Sequence, residues 1–227
     1  IDTNPDPNVS NSYTTYGNED VFLVKLDAMG NYIWSKQMGG VNTDFPMMLR
    51  SDNLGNLIVA GTFRDSIDTD PSATIQNLVS SGNVDGFLVK LNNLGNYVWS
   101  KKLGSNFGDA ITGIDVDANN DIYACGTFVG TVDFDPGVNV FNLTATSSTL
   151  SSFVFKWDAA GNFVFAKPFL PTNASGNITA SYLNLDATGN MYVIGDFNRQ
   201  VDFNPDLVAV DTLTSNSNSQ DVFLTKL

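Results

Sequence analysis

A strand-like segment recurs four times along this chain, and the regular spacing of its copies limits the folds available. The copies lie at residues 20–26, 85–91, 152–157 and 221–227. Their matching aromatic residues are Phe22, Phe87, Phe153 and Phe223, at successive separations of 65, 66 and 70 residues. A period of this length predicts stacked, equivalent supersecondary units.

The composition excludes several functional classes. A hydrophobic content of 42% in 227 residues is sufficient for a packed core. The net charge of −13, from 11 basic and 24 acidic residues, disfavours nucleic acid and anionic membranes as partners. With one cysteine and no histidine, the chain lacks an internal disulfide, a Cys/His metal cluster and a Ser/His or Cys/His catalytic pair.

The termini and hydropathy lead to two further expectations. No apolar run approaches the length of a transmembrane helix, so direct membrane insertion is not expected. The chain begins at Ile1 without a signal-peptide pattern, which indicates a processed piece of a longer protein.

Each repeat is predicted to contain four β-strands, A to D, because its apolar and β-branched residues alternate with period two. An isolated C–D pair is expected first, at 21–26 and 31–38. The following strands are expected at 47–51, 56–63, 86–91 and 96–103, then 111–116, 121–128, 153–157 and 162–167, and finally 180–185, 191–197 and 222–227. A long polar loop is expected between strands B and C of each repeat.

Short turns with an Asp-x-x-Gly-Asn pattern support these hairpins. Five copies open with Asp or Asn, which can bond their own backbone, and carry Gly where a positive φ is needed. They lie at 27–31, 52–56, 92–96, 158–162 and 186–190. A sixth turn, 117–121, has Asn120 in the glycine position, and Asn tolerates this conformation best after Gly.

Thirteen predicted strands arranged as four-stranded antiparallel blades indicate an all-β fold, the β-propeller. The expected divisions are a partial blade at 1–40, blades at 41–104 and 105–168, and a blade lacking its last strand at 169–227. About three blades are too few for a ring of four to eight. We expect an open arc, completed by missing segments of a longer polypeptide or by neighbouring copies, with the longer polypeptide favoured.

The repeat resembles a known family. The residues concerned are Gly39-Gly40, Asp44, the 52–56 turn, Gly61-Thr62-Phe63 and the 85–91 strand. They are similar to the SBBP-type bacterial β-propeller repeat, found in secreted Bacteroidetes proteins carried to the cell surface by the type IX secretion system. The resemblance implies an extracellular or cell-surface location and supplies no shared catalytic residues.

Repeated acidic turns in the B–C loops are the candidate metal site. Two oxygen-bearing side chains, two residues apart, point to the same side of an extended segment and offer hard ligands for Ca²⁺. The candidate ligands are Asp68, Asp70, Asp133, Asp135, Asp202 and Asn204, with a related segment at 2–5. The alternative is an Asx-Pro turn that caps a strand.

Other singled-out residues have simpler interpretations. Trp34, Trp99 and Phe165 share one strand-D position, where packing between blades is favoured over sugar stacking. Cys125 occupies an apolar position and is expected to be a buried, inert thiol. Ser66 and Thr212 lie in Asp-Ser/Thr-apolar segments that resemble Bacteroidetes O-glycosylation sites.

Three functional hypotheses remain open from the sequence. The first is a non-enzymatic extracellular scaffold, adhesin or binding module, stabilised by calcium, with a protein or glycan ligand on the cell surface. The second is part of a catalytic propeller such as a glycan-processing hydrolase. The third is a structural repeat of a surface fibre.

Overall fold

The computed structural model describes residues 1–146, 148–206 and 210–227. In these ranges the fold is all-β, with no α-helix and one short 3₁₀-helix, Asn216–Asn218. The strands are β1 (Val21–Leu26), β2 (Tyr32–Met38), β3 (Asp44–Ser51), β4 (Leu57–Phe63), β5 (Ser66–Asp68), β6 (Asn77–Val79), β7 (Asp85–Leu91), β8 (Tyr97–Leu103), β9 (Ala110–Val116), β10 (Ile122–Phe128), β11 (Thr131–Asp133), β12 (Asn142–Thr144), β13 (Ser151–Trp157), β14 (Phe163–Pro171), β15 (Asn177–Leu185), β16 (Met191–Asn198), β17 (Gln200–Asp202), β18 (Thr212–Thr214) and β19 (Gln220–Lys226).

The long strands form four successive antiparallel sheets. Sheet I is β1–β2, sheet II is β3–β4–β7–β8, sheet III contains β9–β10–β13–β14, and sheet IV is β15–β16–β19. Sheets II and III are complete four-stranded blades, so the predicted fold class, all-β with propeller-type blades, is confirmed. The largest boundary differences are at β14, which extends to Pro171 instead of 167, and at β3 and β15, which begin at Asp44 and Asn177 instead of 47 and 180.

The long polar loops predicted between strands B and C contain regular structure that the four-strand prediction did not include. Each loop contains a hairpin of two three-residue strands: β5–β6, β11–β12 or β17–β18. One central residue in the first strand of each hairpin, Ile67, Val132 or Val201, is fully buried. A single apolar residue in a three-residue strand produces no detectable alternation, which is why the sequence pattern did not reveal these strands.

The hairpins also connect neighbouring sheets. Strand β17 pairs with the end of β14 in the preceding sheet, through Leu170 opposite Asp202. At the equivalent place, Gly39 and Asp68 exchange backbone hydrogen bonds of 3.0 and 3.1 Å. The insertion between strands B and C therefore fastens its own sheet to the preceding one.

The core lies between facing sheets, and strand C contributes to both of its sides. In β13, Phe153, Phe155 and Trp157 pack towards sheet II, whereas Val154 packs towards sheet IV. All four side chains are fully buried. Burial on both faces explains why strand C is apolar almost throughout instead of alternating with polar residues.

The predicted turns are present. Gly30, Gly55, Gly95, Gly161 and Gly189 have positive φ, and Asn120 adopts φ 67° at the sixth turn. The Asn120 side chain also accepts a hydrogen bond of 2.9 Å from the backbone N–H of Asn53 in the neighbouring sheet. This exception to the glycine pattern therefore connects two adjacent turns.

A glycine in strand B provides a test of the blade geometry. A methyl group on Gly126 would lie 2.0 Å from the Ala110 carbonyl oxygen and 2.5 Å from the Phe153 ring. We expect Gly126→Ala to lower the free energy of unfolding by about 3 kcal/mol or more, measured by urea denaturation. Gly189→Asn, at an open turn position, is the control and should lower it by about 1 kcal/mol or less. Equal losses of unfolding free energy in the two variants would contradict the steric clash expected at Gly126.

Candidate functional site

The candidate metal residues form a repeated backbone-closing motif. One carboxylate oxygen, Oδ1, of Asp68 accepts N–H bonds from Asp70 at 3.1 Å and from Gln76 at 2.9 Å. Asp133 accepts equivalent bonds from Asp135 at 3.0 Å and from Phe141 at 2.8 Å. Each first Asp therefore closes its hairpin across both strands.

The same closure occurs in the other two copies. Asp202 accepts bonds from the backbone N–H groups of Asn204, at 3.0 Å, and Asp211, at 2.9 Å. Asp2 does so from Asn4, at 3.0 Å, and Asn11, at 2.9 Å. Four copies of one arrangement indicate that the motif belongs to the repeat.

The second candidate ligand of each turn also bonds to the backbone. Asp70, Asp135 and Asn204 accept N–H bonds of 2.9, 2.8 and 2.8 Å from the residues two positions further on. The candidate ligands thus form successive Asx turns, the alternative interpretation of the sequence pattern. Among the described residues, no group of three or more His, Cys, Asp or Glu side chains is arranged to hold a metal ion. Calcium binding stays a prediction.

Lysine side chains already lie beside these acidic turns. Lys167 of β14 forms an ion pair with Asp206, which follows the third turn. Lys101 and Lys102 line a cleft of about 490 Å³ together with Asp133 and Asp135. The ammonium groups of one sheet therefore provide positive charge close to the hairpin of the next, without an added cation.

The middle residue of each acidic turn faces strand D of its own sheet. Thr3 and Thr69 donate hydrogen bonds of 2.9 and 2.8 Å to Ser35 and Ser100. In sheet III the equivalent pair is Phe134 and Ala166, both within the apolar core. In sheet III an aromatic ring and a methyl group therefore stand where the other two sheets have a pair of hydroxyl groups. The two positions change together.

The candidate glycosylation residues lie in strands and not in loops, contrary to the sequence expectation. Ser66 is half-buried in β5, and its carbonyl group lies close against Gly40. Thr212 is exposed in β18, opposite Asp202. Of the two hydroxyl groups, that of Thr212 is the more accessible to a modifying enzyme.

The aromatic and cysteine residues lie at packing positions. Trp34 lies against the Gly95 turn of sheet II, and Trp99 lies against the Gly161 turn of sheet III. Phe165 packs against the core between sheets III and IV. Cys125 is fully buried, and burial raises the pKa of its thiol to about 12. A thiol with this pKa is protonated at neutral pH and is a poor nucleophile.

The sequence analysis missed a set of buried aspartates at the contacts between sheets. Asp44, Asp85 and Asp109 are at most 2% exposed, and Asp20 lies next to Asp44. Asp20 and Asp44 also line an open cleft of about 580 Å³ with Tyr13 and Gln37. The available signal was an Asp at the start of strands A and C, repeated in two units.

These observations define the chain as a β-propeller repeat protein. No family model matches it. An uncharacterized WD repeat-containing protein of Acanthamoeba polyphaga mimivirus is 30% identical over 195 residues, covering 74% of this chain. The match spans 14% of the viral protein, so the similarity concerns a small part of that relative. Within the described ranges, no helix has the length and apolar character needed to span a membrane.

The acidic turns can be tested with a pair of variants. Asp133→Ala removes the oxygen that closes the hairpin, and we expect the thermal midpoint to fall by roughly 2–4 °C. Asp133→Asn keeps an acceptor oxygen and should remain close to wild type, measured by circular dichroism.

The same melts, repeated with excess Ca²⁺ and with EGTA, separate the turn from a metal site. If Asp133 only closes a turn, neither Ca²⁺ nor EGTA changes the wild-type thermal midpoint or the order of the variants' midpoints. A calcium site would instead give a wild-type midpoint that falls in EGTA, with Asp133→Asn as unstable as Asp133→Ala.

Proposed function

We propose that this chain is part of a non-enzymatic β-propeller that acts as a scaffold or ligand-binding module. One observation supports the proposal most directly: the acidic turns of the inserted hairpins follow the repeat, and their oxygens accept backbone hydrogen bonds. A catalytic centre is expected to depart from the repeat at one blade, with groups directed at a substrate. The distant similarity to a WD repeat-containing protein agrees with a binding role.

The hairpins inserted between strands B and C are the proposed contact surface. Each of the three hairpins, like the related N-terminal segment, presents an exposed apolar residue seven or eight residues after its first Asp, and other exposed apolar residues such as Val79 and Val138 lie nearby in sequence. The residues seven or eight positions after the first Asp are Val9, Ile75, Val140 and Val210, with exposures of 52, 67, 68 and 73%. A row of exposed apolar side chains among polar neighbours is suited to a protein or glycan ligand.

We further propose an extracellular or cell-surface location. The resemblance to SBBP-type repeats supports this location. The acidic surface, with a net charge of −13, is compatible with it. In this proposal the ligand is a surface protein or glycan, and calcium binding at the acidic turns is tested separately by the chelation experiment.

The binding proposal is tested on immobilised glycans and extracellular-matrix proteins. We expect Ile75→Ser combined with Val140→Ser to reduce binding by about tenfold or more, because hot-spot residues contribute on the order of 1–2 kcal/mol each. The matched control is Leu54→Ser combined with Leu94→Ser, since these turn residues are 69 and 63% exposed.

Two outcomes would contradict the proposal. Equal losses in both double variants would show that the hairpins are not the contact surface. Hydrolysis of nitrophenyl glycosides by the wild-type protein would favour the enzymatic alternative.

We also propose that the outer faces of sheets I and IV are covered by further sheets of the same kind. Val222 and Leu224 are 74 and 70% exposed, whereas Leu88 and Val154, at the position of Leu224, are fully buried. The covering sheet would come from further chain segments or from a neighbouring copy.

Sheet I has an equivalent exposed face. Phe22 and Val24 are 48 and 36% exposed, whereas Phe87 and Val89 at the matching positions of sheet II are fully buried. Both outer sheets therefore present apolar residues at positions that the inner sheets bury.

These faces predict self-association of the 227-residue protein, measured by light scattering over a concentration series. Val222→Ser with Leu224→Ser should lower the average mass, because less apolar surface is then available for burial. The Leu54→Ser and Leu94→Ser variant again serves as control. A wild-type protein that stays monomeric throughout would argue against exposed association faces.

A further inference from the structure

The contacts between sheets I, II and III contain paired aspartates. Asp20, just before β1, faces Asp44 at the start of β3, and Asp85 faces Asp109 at the equivalent junction. Backbone bonds connect the same places: Asp44 N–H donates to Glu19 O, and Asp109 N–H donates to Val84 O, each at 2.9 Å. Sheets III and IV are joined by the same backbone bond, from Ile178 to Leu150 at 3.0 Å.

Four positions change together between these junctions. The first has Asp20, Gln37, Gly39 and Asp44; the second has Asp85, Lys102, Gly104 and Asp109; the third has Ser151, Pro168, Leu170 and Ile178. The glycines accompany the carboxyl groups because a methyl on Gly39 or Gly104 would lie within 2.4 Å of the Asp20 or Asp85 carboxyl. The positions therefore form one unit that exists in a form with two carboxyl groups and a form without them.

The acidic form leaves oxygen atoms without partners in a buried place. Asp20 Oδ1, Asp44 Oδ1 and Asp85 Oδ1 are inaccessible and accept no hydrogen bond. Their other oxygens are used: Asp44 Oδ2 accepts from Gly40 N–H at 2.7 Å, and Asp85 Oδ2 from Ser81 N–H at 2.8 Å. A buried carboxylate oxygen without a donor is unfavourable, and two neighbouring carboxylates also repel each other.

The two acidic junctions differ in the group beside the pair. Lys102 Nζ lies 3.7 Å from Asp85 Oδ2, whereas the equivalent Gln37 donates a neutral amide bond to Asp20. The other titratable groups lining the cleft at the first pair are Glu19, Tyr13 and the amino group of Ile1, which donates a hydrogen bond of 2.8 Å to the Tyr13 carbonyl oxygen. The pKa of Asp44 is raised to about 7, first by burial and then by the Asp20 carboxylate, against the effects of the Gly40 and Arg64 backbone amides.

We propose that the Asp20–Asp44 pair holds one proton that joins sheets I and II, and that Lys102 supplies the corresponding positive charge at the Asp85–Asp109 pair. The proton removes one of two neighbouring like charges and so lowers the cost of burying the Asp44 carboxyl group. Loss of the proton leaves two like charges across the junction and favours separation of the sheets. The junction is a pH-dependent contact, strongest in mildly acid solution.

The direction of the effect follows from proton linkage. An Asp whose pKa is raised when the junction is closed binds its proton more tightly in the closed state than in the open state. Closure is therefore favoured at low pH, and this advantage is lost as pH rises from the open-state pKa of 3.8 to the closed-state pKa of about 7. The opening constant should rise about tenfold per pH unit in this window and level off above it.

Native-state hydrogen exchange tests the proposal, since each junction has an equivalent reporter amide: Asp44, Asp109 or Ile178. We expect the protection factor of the Asp44 amide to fall about tenfold per unit from about pH 5 to about pH 7, relative to that of Ile178. The Ile178 junction contains no carboxyl pair and is an internal control. A ratio independent of pH would overturn the proposal.

Three variants make the test specific. Asp44→Asn keeps the shape of the side chain and should abolish the pH slope. Gln37→Lys should flatten it by supplying the charge found at the second junction. Burial also raises the pKa values of Asp85 and Asp109, and Lys102 opposes this at Asp85, so Lys102→Gln should steepen the pH dependence of the Asp109 amide. A slope retained in Asp44→Asn would show that another group is responsible.

A direct measurement covers the case in which a variant does not fold. Carboxyl ¹³C chemical shifts in the wild-type protein report protonation of the pair. A titration of Asp44 with a midpoint near pH 7 supports the proposal, whereas titration of Asp44 below pH 5 overturns it.

Discussion

The burial of strand C between two neighbouring sheets is the constraint on which the rest of the structure depends. In β13, Phe153 and Phe155 pack towards one sheet and Val154 towards the other, all fully buried. A strand buried on both faces cannot carry polar side chains at its centre, so polar function is moved to the turns, hairpins and junctions. The strand also needs a sheet on either side, which makes each blade dependent on its neighbours.

Most polar side chains in these regions hold the backbone. The first Asp of each inserted hairpin closes two strands at once, and Asn120 joins adjacent turns while adopting the conformation otherwise taken by glycine. A protein with few charged residues, 15% of the chain, has used many of its carboxylates in this way. The exposed apolar residues of the hairpins are then the features left for recognition, which is why a binding role is favoured over catalysis.

The sequence predicted the thirteen long strands and the turns because these features repeat and have simple local causes: alternation, and glycine at positive φ. It did not predict the inserted hairpins, since β5, β11 and β17 each bury only one apolar residue. Nor did it predict the carboxyl pairs. Asp20 and Asp44 come from separate sheets, and their proximity depends on how Gly39 lets the backbone approach. The position of one Asp in the sequence does not indicate which other carboxyl group lies beside it in the folded protein.

The three junctions show that one architecture admits two chemical solutions. The junction with Ser151, Leu170 and Ile178 contains no carboxyl group, whereas the junction with Asp85 and Asp109 has Lys102 Nζ 3.7 Å from Asp85. An apolar contact would serve equally well for stability alone, since replacing buried ionic groups by packed apolar residues is often neutral or stabilising. What we propose for the Asp20–Asp44 junction, where Gln37 takes the place of Lys102, is that the acidic form makes the contact between sheets I and II respond to the proton concentration. The backbone bond at each junction stays the same.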